Sequence, residues 1–230
     1  MHHLKCRNQI QLSHRKTVMT AGKVQVVGIV ACLIPEFGIG FRNQLPWKLP
    51  RELKYFRQVT TETFDPAKRN AVIMGSKTWN SIPSKLKPLR DRLNVVISRS
   101  FASEWDPQGE GGNCHVIHSN SLSGSIERMK EVAEHLKLER IYVIGGAEIY
   151  SQCYSLIDHL LITKIEQLNH DAGNRIQTDV FLDSKKIHEL FLQDEEGPRL
   201  FVPPTVDLPA KQYSFTDNGL QVTFTLYDRK

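Results

Sequence analysis

Unbroken apolar runs restrict the folds open to this chain more than any single motif does. The runs 24–33 (VQVVGIVACL), 71–74 (AVIM), 93–97 (LNVVI) and 140–144 (RIYVI) are rich in β-branched residues and do not alternate apolar with polar. Strands buried on both faces read this way, whereas a strand with one wet face alternates. Helix-like segments lie between them: 51–61, a short one opened by 75–78 and stopped by Pro83, 121–136, and one that follows Gly145-Gly146 through Tyr150. In 121–136, Leu122, Ile126, Met129, Val132, Ala133 and Leu136 recur at helical spacing. Further strand-like runs fall at 115–118, 159–165 and 178–182, and the segments 109–113 and 192–209 read as loops. At the end, 213–216 and 220–227 flank Asp217-Asn218-Gly219, a hairpin signal. The expectation is an α/β domain with a central, mostly parallel mixed sheet of roughly eight strands, an antiparallel C-terminal hairpin and about four flanking helices.

Charge separates a leader from this body. Lys5, Arg7, Arg15, Lys16 and Lys23 are accompanied by no acid in residues 1–23, and they account for the net charge of +5. Residues 1–22 are expected to be a basic, disordered leader, and 23–230 a single domain. The leader loosely suits a mitochondrial targeting segment, but the expected location is cytoplasmic. The body is neutral overall, so a nucleic-acid partner is not expected, although local basic clusters can still hold a compact anion. Cys6, Cys32, Cys114 and Cys153 are scattered without metal-ligand spacing, so no metal is expected and free thiols in a reducing compartment are. No apolar run is long enough to span a membrane.

The chemistry concentrates where strands end. In sheets of this kind ligands collect beyond the carboxyl ends of strands. Residues 74–78, 97–100 and 144–147 are such ends, and two of the three run into a helix. Gly75, Gly145 and Gly146 allow close backbone approach, Thr78 offers a hydroxyl, and Lys77 and Arg99 offer charge. Helix starts there suit phosphate. Neither common nucleotide fingerprint is present. A fourth connection, 38–52, carries two glycines, two prolines, Trp47 and then Glu52 among Leu49, Leu53 and Phe56. Taken singly, Glu52 reads as a first-turn helix acid, Trp47 as core and Lys77 as a solvated charge.

The ordered set changes that reading. Gly28-Ile29-Val30-Ala31, Gly38-Ile39-Gly40, Leu45-Pro46-Trp47, Glu52 through Phe56, Val72-Ile73-Met74-Gly75, Lys77-Thr78-Trp79, Ser81-Ile82-Pro83, Ser98-Arg99 and Tyr142 through Gly146 resemble the dihydrofolate reductase family. The resemblance continues through Thr163, Asp179 to Leu182 and the closing hairpin, covering residues 24–230. Inserts near 101–114 and 192–212 look like the eukaryotic form, and several blocks (IVACLIPEFGIGF, EIYSQ, FTLYDRK) are similar to the enzymes of budding yeasts.

The resemblance implies NADPH-dependent reduction of 7,8-dihydrofolate, antifolate binding and a monomer. It implies that Glu52 grips the pterin and assists protonation of N5, with Leu45 and Trp47 lining the site and Thr163 supporting Glu52. It places Ile29, Val30, Phe56, Ile82, Leu89 and Ile144 in the folate wall and Arg92 on the α-carboxylate of the glutamate tail. Ala31, Gly38, Ile39, Gly40, Phe41, Arg42, Asn43, Gln44, Ser76, Lys77, Thr78, Ser98, Arg99, Ser100, Gly145, Gly146, Ala147, Glu148, Ile149 and Tyr150 fall on the cofactor surface. A cis Gly145-Gly146 bond is implied, as is a mobile loop over 38–47. Two positions depart from the pattern. Ser76 stands where Lys or Arg commonly faces the 2′-phosphate, which leaves NADPH preference to Lys77, Ser98, Arg99 and Ser100. Ala147 stands where Gly or Ser is usual. Two alternatives are a same-fold pyrimidine reductase of riboflavin synthesis, which has no use for Arg92, and RNA binding by the leader.

Overall fold

The structure is a computed structural model that describes residues 23–102, 105–108, 116–168 and 175–230. The leader, the whole loop at 109–113, and Cys6 and Cys114 lie outside the described residues.

The apolar runs become the centre of one mixed sheet. Its strands are β1 (Gln25–Leu33), β2 (Gly38–Gly40), β3 (Arg69–Gly75), β4 (Arg92–Ile97), β5 (Asp106–Gln108), β6 (Val116–Ser119), β7 (Leu138–Val143), β8 (His159–Gln167), β9 (Val180–Phe181), β10 (Phe191–Gln193), β11 (Ser214–Asp217) and β12 (Leu220–Arg229). The order is β10-β12-β8-β1-β7-β3-β4-β6-β5. Contacts from β8 through β6 are parallel, and β12 returns antiparallel against β8 and β11. Unbroken hydrophobicity is explained by two cores, one on each face. Ala71 and Ile73 pack with Val26, Ile141 and Met129 on one side. Val72 and Met74 pack with Val27, Tyr142 and Tyr55 on the other.

Among the described residues five α-helices flank the sheet: α1 (Pro50–Thr61), α2 (Ser76–Ser81), α3 (Leu122–Glu131), α4 (Ala147–Cys153) and α5 (Ser184–Leu190). The sheet has twelve described strands rather than about eight, because β2, β5, β9 and β10 are too short to carry a periodic signal. The run expected at 178–182 pairs only over Val180–Phe181. The additional helix is α5, started by the Asp183 side chain accepting from Lys186 N at 3.0 Å. The loop expected at 192–209 opens on β10 and contains the 3-10 turn Pro198–Leu200. The helix expected over 121–136 stops at Glu131. The chain then reverses through Lys137, whose φ is 52°, and Leu138 N donates to Ala133 O at 2.8 Å. Among the described residues no helix is long and apolar enough to cross a membrane.

Candidate active site

A cavity of about 1630 Å³ opens over the carboxyl ends of the central parallel strands. Single-ligand pockets span roughly 300–1,000 Å³, so this one has room for two ligands side by side. Topology builds it. Adjacent β1, β7, β3 and β4 end at the same edge, α1 crosses one side, and the turn after β2 crosses the mouth.

One half is apolar. β1 contributes Ile29 and Val30, α1 contributes Leu53 and Phe56, and Ile82, Leu89 and Ile144 complete the wall. Glu52 sits in that wall and is only 6% exposed. Pro50 sits at the start of α1, where its missing N–H costs nothing, and this fixes Glu52 in the first turn. Thr163 on β8 donates to Glu52 Oε1 over a long 3.4 Å. A first-turn position favours a carboxylate by about 0.3–1 kcal/mol. Burial wins over it: desolvation pushes the Glu52 carboxyl up to about 7, and the Thr163 bond opposes this only weakly.

At the outer end of this half lies Arg92, also 6% exposed. Its Nη1 donates to Thr60 Oγ1 at 2.6 Å and its Nε to Arg90 O at 3.0 Å. Burial and then the nearby Arg57 charge push it down to about 10, and Asp91 opposes them.

The other half is polar and wet. Ser76, Lys77 and Thr78 begin α2, Ser98, Arg99 and Ser100 follow β4, and Gly146 through Tyr150 begin α4. Lys77, Arg99 and Ser100 are exposed. Arg99 meets Glu148 at 3.5 Å, and Ser98 Oγ and Ser100 Oγ are 2.8 Å apart. Ala31, Ile39, Gly40, Asn43, Gln44 and Leu45 close the cavity between the halves. A Cβ at Gly75 would approach Ile149 to 3.1 Å, and one at Gly146 would approach Thr78 Oγ1 to 3.3 Å, so glycine keeps this floor low. Two cations, four hydroxyls and a low floor fit a phosphate-bearing dinucleotide. Both α2 and α4 are short, so the side chains rather than helix dipoles supply the attraction.

Six residues expected in the site do not line the cavity. Gly38 pairs with Phe181 and backs onto Thr178. Phe41 and Arg42 lie in a turn closed by the Phe41–Gln44 hydrogen bonds, and Arg42 stacks on Phe41. Gly145 lies behind the wall, with its carbonyl on Gly75 N at 2.8 Å. Thr163 reaches the cavity only through Glu52. Trp47 is buried with Leu49 and Tyr55, and its Nε1 has no protein acceptor among the described residues. Gly145-Gly146 is cis. The residue reading missed Leu53, Arg57, Lys85, Leu86, Arg90 and Asn120. Helical spacing from Glu52 and Phe56 marks Leu53 and Arg57, but nothing local marks the others.

Known proteins share this arrangement. A family model described as dihydrofolate reductase matches residues 5–190. The chain belongs to the dihydrofolate reductase family. It is 51% identical over 218 residues to the dihydrofolate reductase of Saccharomyces cerevisiae, covering 92% of this chain and 100% of that protein. With the dihydrofolate reductase of Candida albicans identity is 40% over 211 residues, covering 90% and 99%. A bifunctional dihydrofolate reductase-thymidylate synthase of Arabidopsis thaliana is 32% identical over 219 residues, 92% of this chain and 33% of that protein. The family's reaction takes two ligands, dihydrofolate and NADPH, and the cavity has room for two.

Proposed function

We propose that this chain reduces 7,8-dihydrofolate to 5,6,7,8-tetrahydrofolate with NADPH. The observation that carries the reading is the buried Glu52 carboxyl, pushed up to about 7 inside an apolar wall. Bound NADPH supplies a hydride for pterin C6. Glu52 supplies orientation by accepting from the pterin amino group and ring N–H in a two-point hydrogen bond. Near neutrality it is partly protonated, so a proton for N5 is held at the site without a strong acid. Trp47 supports the site from behind the wall, and among the described residues its buried Nε1 has no protein acceptor. Thr163 fixes the carboxyl from behind.

Arg92 receives the α-carboxylate of the substrate tail while Thr60 and the Arg90 carbonyl hold it in place. Ser76, Lys77, Thr78, Ser98, Arg99 and Ser100 receive the cofactor phosphates, and Gly146 through Tyr150 form the floor. The segment 38–45 covers the joint between the ligands. It is tied down where Asp179 Oδ2 accepts from Arg42 N at 2.9 Å and Asp179 N donates to Gly40 O at 2.9 Å. The buried free thiols Cys32 and Cys153 support a reducing compartment, the cytoplasm.

The test is loss of reduced-nicotinamide absorbance on adding dihydrofolate, with NADH run in parallel because of Ser76. Turnover with NADPH is expected. Folded protein that gives none overturns the reading.

A further inference from the structure

A second, smaller pocket lies at the opposite edge of the sheet from the active-site cavity. It has a volume of about 340 Å³ and is lined by Ala67, Lys68, Arg69, His135, Leu136 and Lys137. β3 and β7 begin here. β3 runs seven residues from this edge to the other, about 20 Å. Two chain reversals build the pocket. One is the turn in which Lys68 N donates to Asp65 O at 2.9 Å, and the other follows α3. They are joined where Arg69 N donates to Lys137 O at 2.8 Å and Arg69 Nε donates to Leu136 O at 3.2 Å. The second bond fixes the guanidinium, and among the described residues its two Nη groups have no partner. Nearby acids are committed elsewhere. Glu139 accepts from Phe64 N and Asp65 N, Asp65 from Ala67 N, and Glu62 from Thr205 Oγ1, each at 2.9 Å. Glu131 pairs with Arg128, and the exposed Glu134 is not part of the lining. Among the described residues no carboxylate forms an ion pair with Lys68, Arg69 or Lys137. Lys137 stands at φ of 52°, left-handed backbone that penalises any residue with a Cβ and that glycine usually takes.

We propose that this pocket is an anion site, separate from the active site, for a compact multivalent phosphate of the pyrophosphate class. The half-buried Arg69 presents a fixed pair of N–H groups, which suits two phosphate oxygens. Lys68 and Lys137 add charge from the two reversals, and His135 adds a ring N–H. The volume is at the small end for a ligand pocket. Its apolar lining is only Ala67 and Leu136, so it offers no wall on which a nucleobase could lie. An anion held here bridges residues 67–69 and 135–137, which come together only in the folded chain. Its binding therefore stabilises the fold, and the attraction weakens with salt.

The experiment titrates pyrophosphate into the full chain by calorimetry at low salt. Because the wet half of the active site also attracts phosphate, the background carries Lys77→Gln and Arg99→Gln, which disarm that half. A Kd of about 0.1–1 mM is expected there, together with a thermal midpoint about 4 °C higher at 10 mM pyrophosphate. Adding Lys68→Gln and Lys137→Gly is expected to weaken binding at least about fivefold. Lys137→Gly alone relieves the left-handed backbone, so without the anion its thermal midpoint is expected to match or exceed that of the background. Lost binding in that variant is then not lost folding, and Lys68→Gln alone gives a second reading in the same direction. A Kd above about 10 mM in the background overturns the site, as does binding that survives the pocket substitutions. An equal thermal rise from sodium chloride at matched ionic strength also overturns it. ADP that binds through the same residues about tenfold more tightly than pyrophosphate would make the ligand a nucleotide and overturn the compact-anion assignment.

Discussion

Glu52 and Lys77 line the same cavity under opposite conditions. Glu52 is enclosed by apolar side chains, and its ionised form is penalised. Lys77 stands in water beside Ser76, Thr78, Arg99 and glycine backbone. The dry half concentrates its chemistry in one group, because excluding water makes that group's proton affinity sensitive to everything around it. The wet half divides its work among many weak donors. Damage should follow the same division: severe and pH-dependent on the Glu52 side, shallow and spread out on the Lys77 side.

The sharpest way to break this comparison is Glu52→Gln. The amide keeps the shape but has no acidic proton to give, and removing a general acid typically costs 10²–10⁴-fold. Turnover near neutral pH should fall at least about a hundredfold, while cofactor titration stays close to normal. In the unmodified protein the rate should decline as pH rises through about 7, where Glu52 loses its proton, and the variant should lack that inflection. Lys77→Gln on the wet side should cost only a few-fold, read in the cofactor KM. If the two substitutions cost alike, the contrast between the halves is wrong.

Stability should show the same asymmetry. The folded protein holds Glu52 at about 7, above the ordinary 4.5. Its neutral form therefore suits the fold, and its charged form does not. Below pH 4.5 no penalty exists; between 4.5 and 7 it accumulates; above 7 it is complete. At about 1.4 kcal/mol per pH unit the full penalty is on the order of 3 kcal/mol. Glu52→Gln should therefore be more stable than the parent in urea at pH 8, with the gap closing toward pH 4.5. A gap that ignores pH would show that burial does not set this carboxyl.

Gly145→Ala tests the floor of the wet half. Gly145 has φ of 104°, and a Cβ there would lie 2.9 Å from Tyr150 Cε2. Tyr150 cannot yield easily, because its hydroxyl donates to the Ile29 carbonyl at 2.6 Å. Strain of about 1–3 kcal/mol is expected, seen as a lower thermal midpoint and cofactor binding weaker by roughly tenfold. Here the backbone is the sensitive part of the wet half, and the side chains are not.

How much of this was legible depended on distance along the chain. The parallel core was written in runs 24–33, 71–74, 93–97 and 140–144, since each needed apolar residues on both faces. The pairing of β2 with β9 was not, because two or three residues carry no period. Glu52 and Phe56 could be placed on one helix face, yet α1 alone does not reveal a cavity. Lys85 and Arg90 look like any solvated loop charges until β4 brings them beside Arg92. Thr163 reaches Glu52 across 111 residues of sequence, so only the family resemblance pointed to it. Trp47 shows the converse: taken singly it read as core, the family resemblance made it a lining residue, and it is buried in one core cluster with Leu49 and Tyr55, behind the wall.

Thr163→Val is the finest probe of the contrast. The Thr163 hydroxyl lowers the Glu52 pKa against burial, but over 3.4 Å the bond is long and weak. Losing about 0.5 kcal/mol of carboxylate stabilisation raises a pKa by roughly 0.4 units. The inflection in the pH–rate profile should move upward by that amount, with no movement in the cofactor KM. Ser98→Ala removes a hydroxyl of similar strength from the wet half, where Ser98 faces Ser100 and solvent. It should leave the inflection in place, because water replaces the lost partner. A shift from Ser98→Ala equal to that from Thr163→Val would mean that both halves feel the same solvent, and the division drawn between them would fall.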